Sequence, residues 1–171
     1  MTQGGTTTTT DYSYDAAGQR ISQSVGGLVT SYLVDGANPT GYSQTLEETQ
    51  RTANGAVQKA TSYILGLDVV GQAVQSAGGP ISRMYLSYDG HGSTRLLLQQ
   101  DGQIVAGQVY SYDAYGLALG FEPSTALTSL LFSGEQTDAT GLQDLRARYY
   151  DARPGRFAKL TRPSWPAASL Q

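Results

Sequence analysis

Alternation of side chains along the chain predicts β-strands through its first two thirds. From Ile104 to Tyr112, every second residue falls on the same face of an extended strand, and both faces are apolar or neutral. This pattern favours a strand that is covered on both sides. The segment from Ile81 to Tyr88 alternates in the same way. Residues 95–100 contain three leucines without a period, and the turns that flank them favour a strand there as well.

A Tyr-Asp pair followed by glycine recurs four times. Tyrosine favours a half-buried strand, aspartate can accept backbone N–H groups as the chain leaves that strand, and glycine adopts the positive φ that reverses the chain. Each copy therefore predicts the end of a strand and a tight turn. The copies contain, in chain order, Tyr14, Asp15 and Gly18; Tyr88, Asp89 and Gly92; Tyr112, Asp113 and Gly116; and Tyr150, Asp151 and Gly155.

Shorter turn signals lie among these copies. They are Gly26-Gly27, Asn54-Gly55, Gly78-Gly79 and Asp101-Gly102, pairs that are typical of two-residue hairpins. The reversals are commonly about eleven residues apart, which is the spacing of strands joined by short turns. The pattern predicts an all-β fold, a long antiparallel β-meander of hairpins. At Asp101-Gly102 we expect a two-residue turn with positive φ at both positions.

The last third of the chain breaks this regular pattern. Residues 120–128 predict a crossing loop, with one helical turn near Ser124 to Leu127. Leu130 to Phe132 predicts the start of a new strand. Leu142 to Tyr150 predicts one continuous strand, and Arg156 begins the final strand.

These signals divide the chain into four parts. Residues 1–10 form a Thr-rich segment that we expect to be flexible, and residues 11–119 form the meander. Residues 120–162 form the hairpins that end the chain's β structure. Residues 163–171 form a loose tail unless Trp165 docks.

The order of these motifs resembles one bacterial family. The stretch from Tyr14 to Arg20 reads Tyr-Asp-x-x-Gly-x-Arg, and a second copy continues from Tyr88 to Arg95. The most specific stretch reads Arg148, Tyr149, Tyr150, Asp151 and, after three residues, Gly155, Arg156, Phe157. Nearly the whole chain up to this point resembles the C-terminal end of the core of Rhs (YD-repeat) proteins.

The resemblance implies a structural role. Rhs proteins wind many such hairpins into a spiralling β-sheet that closes as a shell around a toxic C-terminal domain, and related YD-repeat proteins are displayed or secreted. The family also has a self-cleavage site served by aspartates that include the one matching Asp151. After Phe157 the chain departs from the family pattern, because the expected Asp-Pro is absent.

Composition narrows the location and the partners. Charged residues make up 15% of the chain against a usual value of roughly 25%, which favours an extracellular or assembled β surface. The net charge of −3 argues against a nucleic-acid partner, because such a site needs a basic face. No apolar run approaches the ~20 residues of a membrane span, and the absence of cysteine excludes disulfides. No signal peptide is visible, and we expect an extracellular or cell-surface location.

Metal and cofactor chemistry has little support in the sequence. His91 is the only histidine, and one histidine supplies a single ligand where a metal site needs several, so a turn role is favoured. Asp15, Asp89 and Asp113 could form a calcium ladder, but each aspartate can also cap its own turn. We predict no metal site and no cofactor.

Asp151 is the one weak catalytic candidate. Paired-carboxylate chemistry needs a second acid, and the only acids nearby in sequence are Asp138 and Asp144, at spacings unlike those of the family's pair. The turn preference of aspartate favours a structural role instead. We therefore expect no catalytic residue and no enzyme.

The arginines and tyrosines could serve either contacts within the protein or the binding of a glycan. Arg146 and Arg148 alternate with neighbouring residues, which predicts a cross-strand ladder of ion pairs rather than a patch for an anionic glycan. Twelve tyrosines could stack on sugar rings, but most recur at strand ends, as packing between repeats requires. The basic cluster comprises Arg146, Arg148, Arg153, Arg156, Lys159 and Arg162.

The sequence thus predicts a structural scaffold or shell. A meander with few lysines and prolines leaves unprotected edges, so we expect copies to join edge to edge into oligomers or fibres. The alternatives are a glycan-binding surface module and the remnant of a self-cleaving core that encapsulates a toxin.

Overall fold

A computed structural model describes residues 9–37, 41–146 and 148–158 of the chain. The predicted tail, with Trp165, and most of the predicted N-terminal segment lie outside these ranges. The part of the chain that the structure describes contains no helix with the length and hydrophobicity needed to cross a membrane.

Nine consecutive strands form one antiparallel sheet in chain order, and four short strands form a second. The predicted fold class, an all-β antiparallel meander, is confirmed. The first sheet contains β1 Thr10–Tyr14, β2 Arg20–Val25, β3 Leu28–Asp35, β4 Gln44–Thr52, β5 Val57–Leu65, β6 Val69–Ser76, β7 Ile81–Tyr88, β8 Thr94–Leu98 and β9 Ile104–Val109. The second contains β10 Gln136–Thr137, β11 Leu142–Asp144, β12 Tyr149–Asp151 and β13 Arg156–Ala158.

The short turns are of two kinds. Gly26 and Gly27 both have positive φ, and Val25 pairs directly with Leu28, so this is a two-residue hairpin as predicted. At Asp101-Gly102 the prediction is wrong, because only Gly102 has positive φ. There the Gly102 N–H donates to the carbonyl of Gln99, which makes a longer turn followed by a bulge at glycine. This turn needs only one left-handed residue, and glycine adopts that conformation without the strain of an aspartate.

Two predictions for the later strands are wrong. Residues 130–132 do not start a strand: Leu130 makes an isolated bridge, and Phe132–Gly134 is a 3₁₀ turn. The predicted continuous strand at residues 142–150 is divided between β11 and β12, because the chain reverses at residues 145–148, where Arg146 has a φ of 61°. A helical turn does occur in the crossing loop, as a 3₁₀ turn at Pro123–Thr125, which begins one residue before the predicted range.

β9 is covered on one side only, contrary to the prediction. Ile104 and Val109 remain 50% and 56% exposed, whereas Gln108 and Tyr110 are buried. Gly107 has a φ of 72° within the strand, and the pairing of β9 with β8 is irregular. The bulge therefore interrupts the two-residue period on which the prediction relied.

The core lies on one face of the nine-stranded sheet, which we call the covered face. Residues from the loop after β9, including Leu130 and Leu131, pack there against side chains from β5 to β8. Leu97 and Leu131 are almost completely inaccessible. The buried cluster comprises Tyr63, Val69, Met84, Leu86, Leu97, Tyr110, Leu130 and Leu131.

Candidate functional site

The first Tyr-Asp turn places an arginine inside the protein. Asp15 accepts the backbone N–H groups of Ala17 and Gln19, and Gly18 with a φ of 81° completes the reversal. Arg20, the first residue of β2, consequently enters the covered face, where it is only 5% exposed.

Arg20 connects the first two strands with the second sheet. Its Nη1 donates to Asp138 Oδ1 at 2.9 Å and to the hydroxyl of Tyr149 at 2.9 Å, and its Nη2 donates to Gln136 Oε1 at 3.1 Å. Its Nε lies 2.9 Å from Asp144 Oδ2, as an ion pair without hydrogen-bond alignment. We call these five residues the Arg20 cluster.

Tyrosine rings enclose the guanidinium. The Arg20 Cζ lies 4.3 Å from the ring centroid of Tyr32 and 5.6 Å from that of Tyr149. Tyr12 stacks on Tyr149 with ring centroids 4.7 Å apart, and its hydroxyl donates to Asp138 Oδ2 at 3.2 Å. Arginine is well suited to this position, because its planar group can stack on aromatic faces while its N–H groups bind carboxylates.

The cluster contains two acids and one base. Burial raises the pKa of Asp138 and that of Asp144, and the attraction of Arg20 only partly opposes this effect. Burial alone would lower the pKa of Arg20, but the two carboxylates outweigh it and raise the pKa, so the guanidinium stays charged. With both acids ionised the cluster carries one unbalanced negative charge, which is costly in a buried site.

Polar side chains on the covered face hold the backbone of the loop after β9. Gln72 Nε2 donates to the carbonyl of Leu127 at 2.7 Å, and Gln108 Oε1 accepts the N–H of Leu127 at 2.7 Å. Thr94 Oγ1 donates to the carbonyl of Leu130 at 2.6 Å. These side chains bind backbone groups of the loop, and they satisfy groups that burial would otherwise leave unpaired.

A glutamate extends this network to the second sheet. Glu48 Oε1 accepts hydrogen bonds from Tyr63, Ser129 and Gln136, at 2.5, 2.6 and 2.7 Å. Because Gln136 also binds Arg20, the loop and the Arg20 cluster form one connected set of hydrogen bonds.

The Tyr-Asp copies have a shared geometry in the first sheet. The carboxylates of Asp89 and Asp113 accept the N–H groups two and four residues later, like that of Asp15. The tyrosine hydroxyls bind distant carbonyls: Tyr88 binds that of Val69 at 2.7 Å, and Tyr112 binds that of Thr94 at 3.0 Å. The hydroxyl of Tyr14 is buried. The glycines Gly92 and Gly116 both have positive φ.

The fourth copy differs from the others. Asp151 ends β12 and pairs with Arg156 across a four-residue loop, and the Gly155 N–H donates to the carbonyl of Ala152 at 3.3 Å. Two hydrogen bonds from the Arg153 guanidinium, one to each carboxylate oxygen, lower the pKa of Asp151. Tyr150 donates to the carbonyl of Tyr115 at 3.1 Å. Among the described residues, no hydrogen bond or ion pair joins Asp151 to Asp138 or Asp144, and the side-chain partner of Asp151 is Arg153.

The predicted arginine ladder does not form at Arg146. This residue lies in the turn between β11 and β12, where its Nη1 pairs with Glu135 at 3.0 Å. The Arg148 guanidinium instead lies 4.2 Å from the ring centroid of Phe157. The reversal at residues 145–148 removes the alternation on which the ladder depended.

His91 lies at the tip of the second Tyr-Asp turn. Its Nε2 is 2.9 Å from the hydroxyl of Ser133, and its ring packs against Phe132 with centroids 5.4 Å apart. Within residues 9–37, 41–146 and 148–158, no group of three or more metal-ligating side chains comes together.

Sequence reasoning missed the Arg20 cluster. Arg20 belongs to the motif that carried the family resemblance, and Asp138 begins an Asp-x-x-Gly turn like those of the other copies. These were the available signals, but neither indicates that the two residues, 118 positions apart, are in contact.

No protein-family model matches the chain. It is 33% identical over 154 residues to the tRNA nuclease WapA of Bacillus subtilis (strain 168), which covers 87% of this chain and 6% of the relative. It is 32% identical over 152 residues to the tRNA3(Ser)-specific nuclease WapA of Bacillus spizizenii, with the same coverage. The chain thus spans a small part of the curated relatives that it matches.

Solved structures with the same fold include complexes of TcdB2 and TccC3. The TcdB2-TccC3 structure without its hypervariable C-terminal region gives a TM-score of 0.61 at 21% identity, over 92% of this chain and 8% of that one. The TcdB2-TccC3-Cdc42 structure gives 0.61 at 18% identity, over 86% of this chain and 7% of that one. The chain has an Rhs-like fold.

These relatives contradict the prediction that the protein is not an enzyme. They are named as tRNA nucleases, and their identity to this chain extends over 87% of its length. The prediction was wrong because it considered only candidate residues within this chain, whereas the matched proteins are far longer.

Proposed function

We propose that the chain is the β-shell segment of a nuclease-type toxin. Two observations support this: the identity to tRNA nucleases, and a sheet whose covered face holds a later part of the same chain through the Arg20 cluster. In this proposal the Arg20 cluster holds the second sheet against the nine-stranded sheet. The whole protein degrades tRNA outside the cell that makes it.

The proposed role of the Arg20 cluster, to hold the two sheets together, follows from the segments that it joins. Arg20 lies at the start of β2, whereas Asp144 ends β11 of the second sheet and Asp138 lies in the turn that joins β10 to β11. A contact between segments this far apart in sequence restricts how far the second sheet can move from the first. Separating the two sheets would leave buried charged groups without partners, and this cost opposes the separation.

A segment exchange tests the proposal. The 154 aligned residues of the Bacillus subtilis relative are replaced by the matching residues of this chain, and tRNA cleavage by the chimera is measured. We expect a soluble protein that retains the nuclease activity of the parent. A chimera with Arg20→Met is the matched comparison, and it should be degraded by protease and lose activity. An insoluble chimera, beside a soluble parent, would contradict the shell assignment.

We also propose that exposed strand edges join copies of the chain. β1 and β9 are the outer strands of the nine-stranded sheet, and each leaves one row of backbone groups without a strand partner in that sheet. Light scattering with electron microscopy at micromolar concentration tests this proposal. Oligomers or fibres are expected, and a single species of 18.1 kDa would contradict it.

A further inference from the structure

The nine-stranded sheet has a second face, opposite the covered face, which we call the open face. Side chains on the open face alternate along each strand with those that point into the core, as Arg83 does with the buried Met84. Several apolar side chains on it are well exposed: Leu33 by 59%, Ile81 by 53% and Ile104 by 50%. A face that gathers exposed apolar side chains is a candidate for an interface.

One row of side chains crosses the open face on four neighbouring strands, β4 to β7. The row contains Glu47, Ser62, Ala73 and Arg83, each directly paired with the next. Directly paired residues present their side chains on the same face, and a hydrogen bond of 3.3 Å from Ser62 Oγ to the Glu47 carboxylate joins the first two. The row therefore has an acid at one end, a base at the other and two small residues between them. Three strand spacings, about 14 Å, separate its ends.

The two ends of the row lack a partner of opposite charge in the described part of the protein. Within residues 9–37, 41–146 and 148–158, neither Glu47 nor Arg83 takes part in an ion pair. Glu47 accepts hydroxyl hydrogen bonds from Thr49 at 2.8 Å and from Ser62, and Arg83 is exposed. The ends are also too far apart to pair with each other, because their separation exceeds the screening length of about 8 Å in physiological salt.

A two-fold rotation makes this row complementary to itself. An axis parallel to the strands, between β5 and β6, places Arg83 of one copy opposite Glu47 of a second copy and repeats the contact at the other end of the row. An axis across the strands would instead place Arg83 opposite Arg83, and the repulsion would weaken binding. The charges therefore favour one orientation of two facing sheets.

The side chains near this axis are compatible with close approach. Two packed sheets lie about 10 Å apart, with their strands within about 30° of each other. Ser62 and Ala73, on either side of the axis, are small enough for that spacing. Ile64 pairs directly with Gly71, so the same rotation places Ile64 of one copy over Gly71 of the other. The Tyr85 ring lies over Gly71, 3.2 Å from where a Cβ would be, and supplies an apolar surface for that isoleucine.

From this geometry we propose that the open face binds a second copy of this chain in a symmetric face-to-face dimer. The two pairs between Glu47 and Arg83 fix the orientation, whereas the apolar side chains around them supply most of the affinity. The outer strands β1 and β9 lie outside the four strands of the row, so this interface is distinct from one made by the strand edges.

Sedimentation velocity of the full chain at micromolar concentration tests the proposal. We expect a species of twice 18.1 kDa. Arg83→Glu and Glu47→Arg should each weaken the dimer about hundredfold, because each replaces two attractive pairs by two repulsive ones, at about tenfold per pair. Arg83→Gln removes the charge with little change in shape and should weaken the dimer about tenfold. Circular dichroism checks that each variant is folded.

A mixture of the two charge-reversed variants tests the complementarity directly. One chain with Arg83→Glu and one with Glu47→Arg carry opposite charges at both ends of the row, so they should form a heterodimer with about the affinity of the parent. Because a misfolded chain would not recover association on mixing, the heterodimer separates charge pairing from loss of fold. Lys59→Glu makes the same change of charge on the covered face of β5 and should leave the dimer unchanged.

Three results would each overturn the proposal. The first is a parent chain that sediments as a monomer. The second is association of folded Arg83→Glu or Arg83→Gln that equals that of the parent, as contacts through the strand edges would produce. The third is a mixture of the two folded charge-reversed variants that does not associate.

Discussion

The turns at Asp89 and Asp138 have the same backbone conformation, but their carboxylates bind different partners. In both turns the aspartate N–H donates to the carbonyl four residues later, and the glycine N–H donates back to the aspartate carbonyl. Gly92 and Gly141 have the same φ, 82°. The Asp89 carboxylate accepts N–H groups of its own turn, whereas the Asp138 carboxylate binds Arg20 and Tyr12.

The difference comes from burial. Desolvation favours the neutral form of Asp89, but hydrogen bonds from its turn and from Arg95 outweigh it and lower the pKa. At Asp138 burial is the larger effect and raises the pKa despite Arg20. One sequence motif thus serves as a local turn where water is present and as a tertiary anchor where the second sheet excludes water.

The largest difference in stability is expected when the arginine that binds each aspartate, Arg20 for Asp138 and Arg95 for Asp89, is replaced. Arg20→Met leaves two buried carboxylates without their cation and should lower the free energy of unfolding by about 3–5 kcal/mol. Arg95→Met removes a half-exposed ion pair and should cost at most about 1 kcal/mol. Urea denaturation of both variants measures the two values. Equal losses would show that burial does not distinguish the two arginines.

Removal of the carboxylates should give the next largest difference. Asp138→Ala leaves the hydroxyl of Tyr12 and one side of Arg20 unpaired, and we expect a loss of about 2–3 kcal/mol. Asp89→Ala exposes two N–H groups that water can then satisfy, so it should cost less than Asp138→Ala. Asp89→Asn keeps the acceptor and is the matched control, with a smaller loss than alanine. A larger loss at Asp89 than at Asp138 would contradict the comparison.

The glycines should behave alike, because the backbone is the same in both turns. Gly92→Ala and Gly141→Ala each place a side chain at positive φ, and each should cost about 1–2 kcal/mol. A Cβ at Gly141 would meet nothing within 4 Å, and one at Gly92 would have only contacts of 3.9 Å. Thermal unfolding of the pair measures the two losses. A marked difference would mean that packing, and not backbone conformation, limits one of the turns.

The smallest effects should appear as opposite responses to pH. The ordinary pKa of an aspartate is 3.8, and that of Asp89 is lowered, so its stabilisation is present above this value and is lost as the pH falls through the lower pKa. The pKa values of Asp138 and Asp144 are raised, so their contribution is full at acidic pH and is lost as the pH rises through the raised values.

Carboxyl carbon NMR titration measures this contrast directly. The midpoint of Asp138 should lie above 3.8 and that of Asp89 below it. Correspondingly, the stability advantage of the unmodified chain over Asp138→Asn should shrink as the pH rises from about 4 through the raised pKa of Asp138, whereas its advantage over Asp89→Asn should shrink as the pH falls below about 4. Midpoints in the reverse order would contradict the roles assigned to the two turns.

Patterns within short stretches of sequence predicted much of the fold and little of the Arg20 cluster. The strand class, the glycine turns and the order of the meander follow from residues within a few positions of one another. The division of residues 142–150 into two strands was missed, because the reversal occurs at Arg146, a residue that rarely adopts positive φ.

The sequence by itself determined that aspartate and glycine reverse the chain at Asp138, because turn chemistry is complete within four or five residues. It also determined an antiparallel meander through its side-chain alternation and the spacing of its turns. Only the tertiary structure decided that the Asp138 carboxylate would bind Arg20 rather than its own turn. Desolvation and charge pairing depend on which distant segments cover a residue, and that information is not contained in any short stretch of sequence.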